Sequence, residues 1–173
     1  MDDSFFIYLD RLELMAFFSG YTIIYLFILS LGDARWIKRI AQKNISSLLP
    51  YAYALVGILY LGLQLKNLYP DYTWVHITTD NPEPYLKIWG LLSILFFIPA
   101  LNKKIILSLL HSLVFFFFLA KDILMHFIQS TEKDVVKNDM KIYTISLLIN
   151  IAAFIFIALL YFLFARLKKQ KSS

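Results

Sequence analysis

Residues 104–129 read KIILSLLHSLVFFFFLAKDILMHFIQ, and this stretch decides the fold class of the chain. Between Ile105 and Ala120 the only polar residues are two serines and one histidine. A helix that is apolar around its whole circumference is stable in a membrane or a large core, and not on the surface of a small soluble protein. About twenty such residues cross the hydrocarbon core of a bilayer. The stretch therefore predicts a transmembrane helix.

The composition of the whole chain is that of a membrane protein. Of its 173 residues, 60% are hydrophobic and 17% are charged, and the mean hydropathy is +0.66. A soluble domain is usually about half apolar and about a quarter charged. The chain has no cysteine, which excludes disulfides, thiolate metal sites and cysteine nucleophiles. Its net charge of +5 comes from basic residues that flank apolar blocks, a pattern of membrane orientation and not of nucleic-acid binding.

Five apolar blocks predict an all-α bundle of five transmembrane helices in one domain, residues 1–173. The expected helices are residues 12–31, 48–65, 86–101, 105–129 and 142–165, and the expected outer loop is 66–85. Since a helix rises about 1.5 Å per residue, each longer block fits one crossing. Pro99 lies near the end of the short third block and is expected to kink or terminate it. Residues 102–104 are so short a link that blocks three and four are expected to form an antiparallel hairpin.

Basic residues predict the orientation of these helices. They cluster beside helix ends in segments 32–47, 102–104 and 166–173, which five crossings place on one side of the membrane. Because lysine and arginine are enriched in cytoplasmic loops, the N-terminus is expected outside and the C-terminus in the cytoplasm. This basic edge is expected to hold anionic lipid or a partner. Its residues are Arg35, Lys38, Arg39, Lys103 and Lys104.

Small residues recur at four-residue spacing in several blocks. In membrane helices such faces allow close approach of a neighbouring backbone, and asparagine or serine adds a hydrogen bond between helices. We therefore predict packing faces at Gly20, Ala54, Gly57, Gly62, Gly90, Ser146 and Asn150.

A polar stripe follows the fourth block. Each helical residue turns about 100°, so Ser108, His111, Asp122 and His126 lie on one side of the helix. Ionisable groups at membrane depth are costly and each of them needs a reason. In one interpretation the stripe faces the bundle and is satisfied by other helices. The partners expected in that case are Tyr60, Gln64, Ser146 or Asn150.

Two other interpretations of the stripe remain open. Asp122 and His126 are four residues apart, so they can touch and bind a metal ion with a third ligand from the outer loop. Alternatively, His111 and Asp122 belong to a proton path. Residues that could carry a proton are too sparse along the stripe for a continuous relay. The metal site stays an open alternative, but our prediction is that the chain has none.

Catalytic motifs are absent from the sequence: it contains no GxSxG, HExxH, glycine-rich phosphate loop or zinc-type spacing. We therefore expect a non-enzymatic accessory or scaffolding subunit without a cofactor, whose partners are other integral membrane proteins and lipids. One alternative is a small transporter or proton-conducting component, favoured if His111, Asp122 and Glu13 surround a water-filled cavity. Another is a membrane enzyme or quinone-linked protein, favoured by a buried cavity under Trp74 and Trp89.

The middle of the chain, from Pro50 to Leu124, carries a resemblance to a known group. Its runs are YAYALVGILYLGLQLKNLYPDY, PYLKIWGLLSILFFIPALNKK and SLLHSLVFFFFLAKDIL. They resemble small membrane proteins of Bacteroidota, some of which are companions of TonB-type proton-channel energy-coupling motors. The resemblance implies a bacterial inner-membrane accessory subunit and transfers no functional residue. The chain lacks the long cytoplasmic helices of the motor's channel protein and the periplasmic domain of its partner, so the resemblance implies neither of those roles.

Overall fold

The computed structural model describes residues 3–32, 42–67, 69, 84–129 and 133–171. Among them only Ser19, Tyr69, Ile98, Lys103 and Lys104 lie outside helices, and none is in a strand. The helices are α1 (Asp3–Phe18), α2 (Gly20–Gly32), α3 (Gln42–Asn67), α4 (Pro84–Leu92), α5 (Pro99–Asn102), α6 (Ile105–Gln129) and α7 (Lys133–Lys171), and a 3-10 helix (Ser93–Phe97) continues α4. The predicted helical class is confirmed.

Four stretches are long and apolar enough to cross a membrane. They are Arg11–Ile28 in the α1–α2 pair, Ser46–Lys66 in α3, Ile105–Met125 in α6 and Met140–Lys168 in α7. These lengths are compatible with an integral membrane protein, since about 17–25 residues cross the hydrocarbon core. Within the described ranges four helices, and not the expected five, have spanning length.

The third apolar block is not one helix. The expected helix over 86–101 is divided into α4, the 3-10 helix and α5, with Ile98 in extended conformation between the last two. Pro99 explains this break, because a proline disfavours the helical conformation of the residue before it and suits the first position of a new helix. The Asn102 side chain then closes the turn by donating from Nδ2 to the Phe96 carbonyl at 3.1 Å.

The α1–α2 pair runs antiparallel to α6. Arg11, early in the pair, contacts Asp122 near the end of α6. Tyr21, later in the pair, contacts Ser108 near the start of α6. This arrangement places Ser108 and Asp122 of the polar stripe against the α1–α2 pair.

Aromatic side chains fill the space where α1, α2, α3 and α6 meet. Phe18, Tyr21, Tyr53, Tyr60 and Phe115 are each at most 2% exposed. Phe18 stacks on Phe115 with ring centroids 4.8 Å apart. Because Tyr53 contacts Tyr21 while Tyr60 contacts Phe18, α3 is also antiparallel to the α1–α2 pair.

Burial falls along the spans as hydropathy rises. The buried share is 61% for Arg11–Ile28, 50% for Ser46–Lys66, 28% for Ile105–Met125 and 11% for Met140–Lys168, and the mean hydropathy increases in the same order. In a soluble protein the most apolar helix is the most buried, because water drives its side chains inside. The reverse order is expected where lipid surrounds the bundle, since lipid tails are as apolar as leucine.

Candidate functional site

His111 on α6 lies at the centre of an aromatic cluster and is 8% exposed. We name this group the His111 cluster; it comprises Tyr53, Trp89, Phe96, His111 and Phe115. The Trp89 ring is stacked on the imidazole with centroids 4.7 Å apart and an interplanar angle of 7°. Trp89 also donates from Nε1 to the His111 carbonyl at 3.2 Å. Since Trp89 is 37% exposed, it forms the outer wall of the cluster.

Among the described residues, the imidazole of His111 has one hydrogen-bond partner. The Tyr53 hydroxyl lies 2.8 Å from Nδ1. We assign Tyr53 as the donor, because a phenol donates more strongly than it accepts; Nε2 then carries the ring hydrogen. Nε2 is buried and has no partner among the described residues. Such an unpaired donor costs roughly 1–3 kcal/mol, so an added acceptor at Nε2 would be stabilising.

Two hydroxyl pairs join α2 to α6. The hydroxyl oxygens of Tyr21 and Ser108 lie 3.0 Å apart, and those of Thr22 and Ser112 lie 2.8 Å apart. Each serine donates its single hydrogen to a carbonyl of α6, at 2.8 Å for Ser108 and 3.0 Å for Ser112. Tyr21 and Thr22 are therefore the donors to the serines. Each of these two series of hydrogen bonds ends on a backbone carbonyl. Neither series therefore relays a proton towards His111.

Asp122 is paired with Arg11. The Arg11 Nη2 atom lies 3.2 Å from Asp122 Oδ1, and the two side chains are 29% and 24% exposed. The Arg11 guanidinium also lies 5.8 Å from the ring centroid of Phe118. Along α6, Asp122 is about 16 Å from His111 by helical rise. The structure therefore divides the stripe between different partners.

The partners of the stripe differ from those expected. Ser108 contacts Tyr21 and His111 contacts Tyr53, in place of Tyr60, Gln64, Ser146 or Asn150. The side chain of His126 lies outside the described residues, so its pairing with Asp122 does too. In the part of the chain that the structure describes, no three His, Cys, Asp or Glu side chains are grouped to hold a metal ion.

A polar junction joins α7 to the α1–α2 pair. We name it the Ser146 junction; it comprises Met15, Phe17, Ser19, Gly20, Ser146 and Asn150. The Gly20 N–H donates to Ser146 Oγ at 2.7 Å, and the hydroxyl oxygens of Ser19 and Ser146 lie 3.0 Å apart. Asn150 donates from Nδ2 to the Phe17 and Ser146 carbonyls at 2.8 and 2.9 Å. Ser146 and Asn150 are at most 2% exposed, so these bonds are shielded from solvent.

The glycines of the expected packing faces have different surroundings. A Cβ on Gly20 would lie 2.7 Å from the Ser146 backbone, and one on Gly90 would lie 2.7 Å from the Phe18 ring. Gly57 lies directly against the Ser93 side chain. Gly62 is exposed, and no described atom lies within 4 Å of the position of an added Cβ. Gly62 is therefore not a packing position among the described residues, whereas Ala54 is fully buried.

The basic edge is described only in part. Lys103 and Lys104 are exposed beside the start of α6, and Arg35, Lys38 and Arg39 lie outside the described residues. Trp74 lies outside them as well, so the cavity expected under Trp74 and Trp89 is not described. Glu13 is half-buried in α1.

Comparison with known proteins adds no assignment: no family model, curated protein or solved structure matches this chain. Chemically, the described groups can hold helices together, and His111 can donate one further hydrogen bond. The sequence did not predict the contacts of Thr22, Ser112 and the Ser19 hydroxyl. Each of these hydroxyls lies opposite another hydroxyl on a neighbouring apolar helix. That position depends on how the helices are rotated, which the sequence does not determine.

Proposed function

We propose that this protein is a non-enzymatic accessory or scaffolding subunit of a bacterial inner-membrane protein complex. The observation that carries the proposal is the exposure of α7. Its span Met140–Lys168 is the most apolar of the four and only 11% of it is buried. A subunit that works by binding other membrane proteins needs an accessible helix face of this kind.

The inward side of α7 is narrow, and its outward side is broad. Ser146, Asn150 and Ala153 are buried at three- and four-residue spacing against the rest of the bundle. On the opposite side, four large apolar side chains are 52–61% exposed, and exposed Ala152 lies between the first two of them. We name this stripe the outward face of α7; it comprises Leu148, Ala152, Ile155, Leu159 and Phe162. Spacings of three and four residues form the seam along which two helices pack.

The C-terminal part of α7 is exposed in the described bundle. All residues of 161–168 are exposed, including four consecutive apolar ones, Tyr161 to Phe164. Ser146, which contacts Gly20, lies near the beginning of the α7 span, whereas Gly20 lies near the middle of its own span. The apolar length of α7 is therefore displaced towards its C-terminus, which makes it accessible to a partner's helices.

The proposed topology has five crossings, with the N-terminus outside and the C-terminus in the cytoplasm. Gly57 lies against Ser93, and the Tyr51 and Phe97 rings are 6.2 Å apart, so α4 and its 3-10 extension run alongside α3 in the opposite direction. Together these two helices extend about 23 Å, enough for a thin crossing. Lysines 103 and 104 and the basic end of α7 then lie on the cytoplasmic side.

The process we propose is energy transduction by a proton-motive-force-driven motor, as the resemblance of residues 50–124 implies. Proton conduction by the subunit itself has less support. Asp122 is held by Arg11, and the hydroxyl chains of Ser108 and Ser112 end on carbonyls. The channel function is therefore assigned to the partner and not to this chain.

A second candidate function is binding of a quinone at the His111 cluster. The buried Nε2 atom of His111 can donate to a carbonyl oxygen, and the exposed Trp89 ring lies over the imidazole. Solvent extraction of the purified protein, with ultraviolet detection of quinone, tests this candidate. A quinone that is retained by the native chain and lost from Trp89→Ala would favour it over the accessory role.

Affinity purification from native membranes in mild detergent, followed by mass spectrometry, tests the accessory role. We expect a stoichiometric integral membrane partner. The double variant Leu148→Ala/Leu159→Ala should reduce its recovery at least tenfold, which corresponds to about 1.4 kcal/mol. The control Ile106→Ala/Leu110→Ala removes equally exposed side chains from α6 and should retain the partner. Purification as a lone monomer or homo-oligomer would overturn the proposal.

A further inference from the structure

A groove separates α6 from α7 at the end of the bundle where Asp122 lies. It has a volume of about 320 Å³ and opens to the surface. Its walls are almost wholly apolar and include Phe116, Ala120, Ile123 and Leu124 of α6 and Met140 and Tyr143 of α7. It does not include the outward face of α7, so its occupant is a separate question from the proposed function.

The groove is short. From Phe116 to Leu124 it extends about 12 Å along α6 by helical rise. The hydrocarbon core of a bilayer is about 30 Å thick, so one leaflet contributes about half of that. The length of the groove therefore matches most of one acyl chain within a single leaflet.

Among the described residues, two lysines flank one end of the groove. Lys121 directly follows Ala120, Lys141 directly follows Met140, and both lysines are exposed. At the other end Phe116 adjoins Phe115, which is fully buried against Phe18. Lysine stems can lie along apolar surface while the ammonium groups reach the membrane interface.

We propose that this groove holds one acyl chain of an anionic phospholipid whose phosphate contacts Lys121 and Lys141. The charged end of the groove lies at the end of both membrane spans, and its apolar end points towards their middle. A bilayer lipid has the same polarity along its length. Asp122, the acid next to Lys121, is paired with Arg11.

The headgroup determines which lipid is retained. An acyl chain gains little by leaving other lipid tails for the groove, because both surroundings are apolar. A lysine near the membrane surface attracts anionic lipid by about 1 kcal/mol, a factor of about five. Two lysines should therefore favour phosphatidylglycerol over zwitterionic phosphatidylcholine by about thirtyfold.

Native mass spectrometry of the full chain, with both lipids added in equal amounts, tests the proposal. We expect one retained phosphatidylglycerol and its loss from Lys121→Gln/Lys141→Gln. The control Lys66→Gln removes an exposed lysine at the end of α3, which does not line the groove, and should retain the lipid. Equal retention of the two lipids by the native chain, or equal loss from the double variant and the control, would overturn the proposal.

The acyl chain is tested separately by Ala120→Phe. This position is exposed in the groove, so the larger ring should fill the space without disturbing the core. We expect the variant to lose the lipid although both lysines remain. If Ala120→Phe retains the lipid, or if soluble glycerol phosphate displaces the lipid from the native protein, the acyl chain does not lie in the groove.

Discussion

The α1–α2 pair and α7 are opposite in character. The span Arg11–Ile28 is the least apolar of the four and is 61% buried, whereas Met140–Lys168 is the most apolar and 11% buried. The α1–α2 pair contributes hydroxyls and aromatic rings that α3, α6 and α7 satisfy. The outer side of α7 consists of aliphatic and aromatic side chains with no polar requirement. In this chain the more apolar span therefore faces the surroundings of the bundle, and the span with more polar side chains contacts the other helices.

Gly20→Ala should have the largest effect on the interior side of this comparison. The added methyl would lie 2.7 Å from the backbone of Ser146, which cannot move aside as a flexible side chain can. We expect the free energy of unfolding to fall by about 3 kcal/mol, at the upper end of the cost of overpacking. Unfolding in mixed micelles by titration with dodecyl sulfate measures the change.

Gly62→Ala is the matched control for that variant. The same change is made in a helix, but no described atom lies within 4 Å of the new methyl. Its effect on the free energy of unfolding should be neutral or a gain of up to about 1 kcal/mol, because alanine favours a helix over glycine. Equal losses from the two variants would show that the Ser146 junction does not hold α7 to the α1–α2 pair.

Tyr53→Phe should have the next largest effect. It removes the only partner of a His111 nitrogen among the described residues and leaves that nitrogen buried. We expect a loss of about 1–2 kcal/mol. Tyr161→Phe removes a hydroxyl from the exposed end of α7 and should leave the unfolding curve unchanged. If Tyr53→Phe leaves the free energy of unfolding unchanged, the Tyr53–His111 hydrogen bond does not stabilise the bundle.

Asp122→Asn should have a smaller effect. The Arg11–Asp122 pair is partly exposed, and ion pairs of that kind typically contribute about 1 kcal/mol or less. If the pair is only structural, the native protein and Asp122→Asn should give the same proton flux into proteoliposomes, measured with a pH-sensitive dye. A large fall in flux with little loss of stability would instead favour conduction through Asp122.

Leu148→Ala should have the smallest effect on stability. The side chain is 60% exposed on the outward face of α7. We expect a change of less than about 0.5 kcal/mol in the isolated protein. A loss as large as that from Tyr53→Phe would place this side chain inside a homo-oligomer of the chain, and size-exclusion chromatography of the same sample would show it.

The sequence predicts the helices of this chain better than it predicts their contacts. The bounds of α6 coincide with the expected 105–129, because the apolar run is long and uninterrupted. α3 and α7 begin earlier than expected, at Gln42 and Lys133, since apolar residues indicate the membrane-embedded part of a helix and not its polar extension. Pro99 indicates a break, but no pattern predicts that Ser93–Phe97 becomes a 3-10 helix.

Contacts depend on rotation and depth, which spacing does not determine. Ser108 and His111 lie inside the bundle, yet their partners are Tyr21 and Tyr53, two residues within apolar blocks that contain many tyrosines. Gly57 and Gly62 are both glycines of α3, but within the described ranges only Gly57 has a helix packed against it. A small residue permits close packing, and the neighbouring helix decides whether it occurs.

Photo-crosslinking in native membranes tests most directly whether the outward face of α7 binds another membrane protein. A photoreactive amino acid is placed at Leu148 on that face, and in a second variant at fully buried Ala54. We expect one dominant adduct with a single integral membrane protein from Leu148, and only intramolecular adducts from Ala54. Adducts with lipid alone from Leu148 would contradict this expectation.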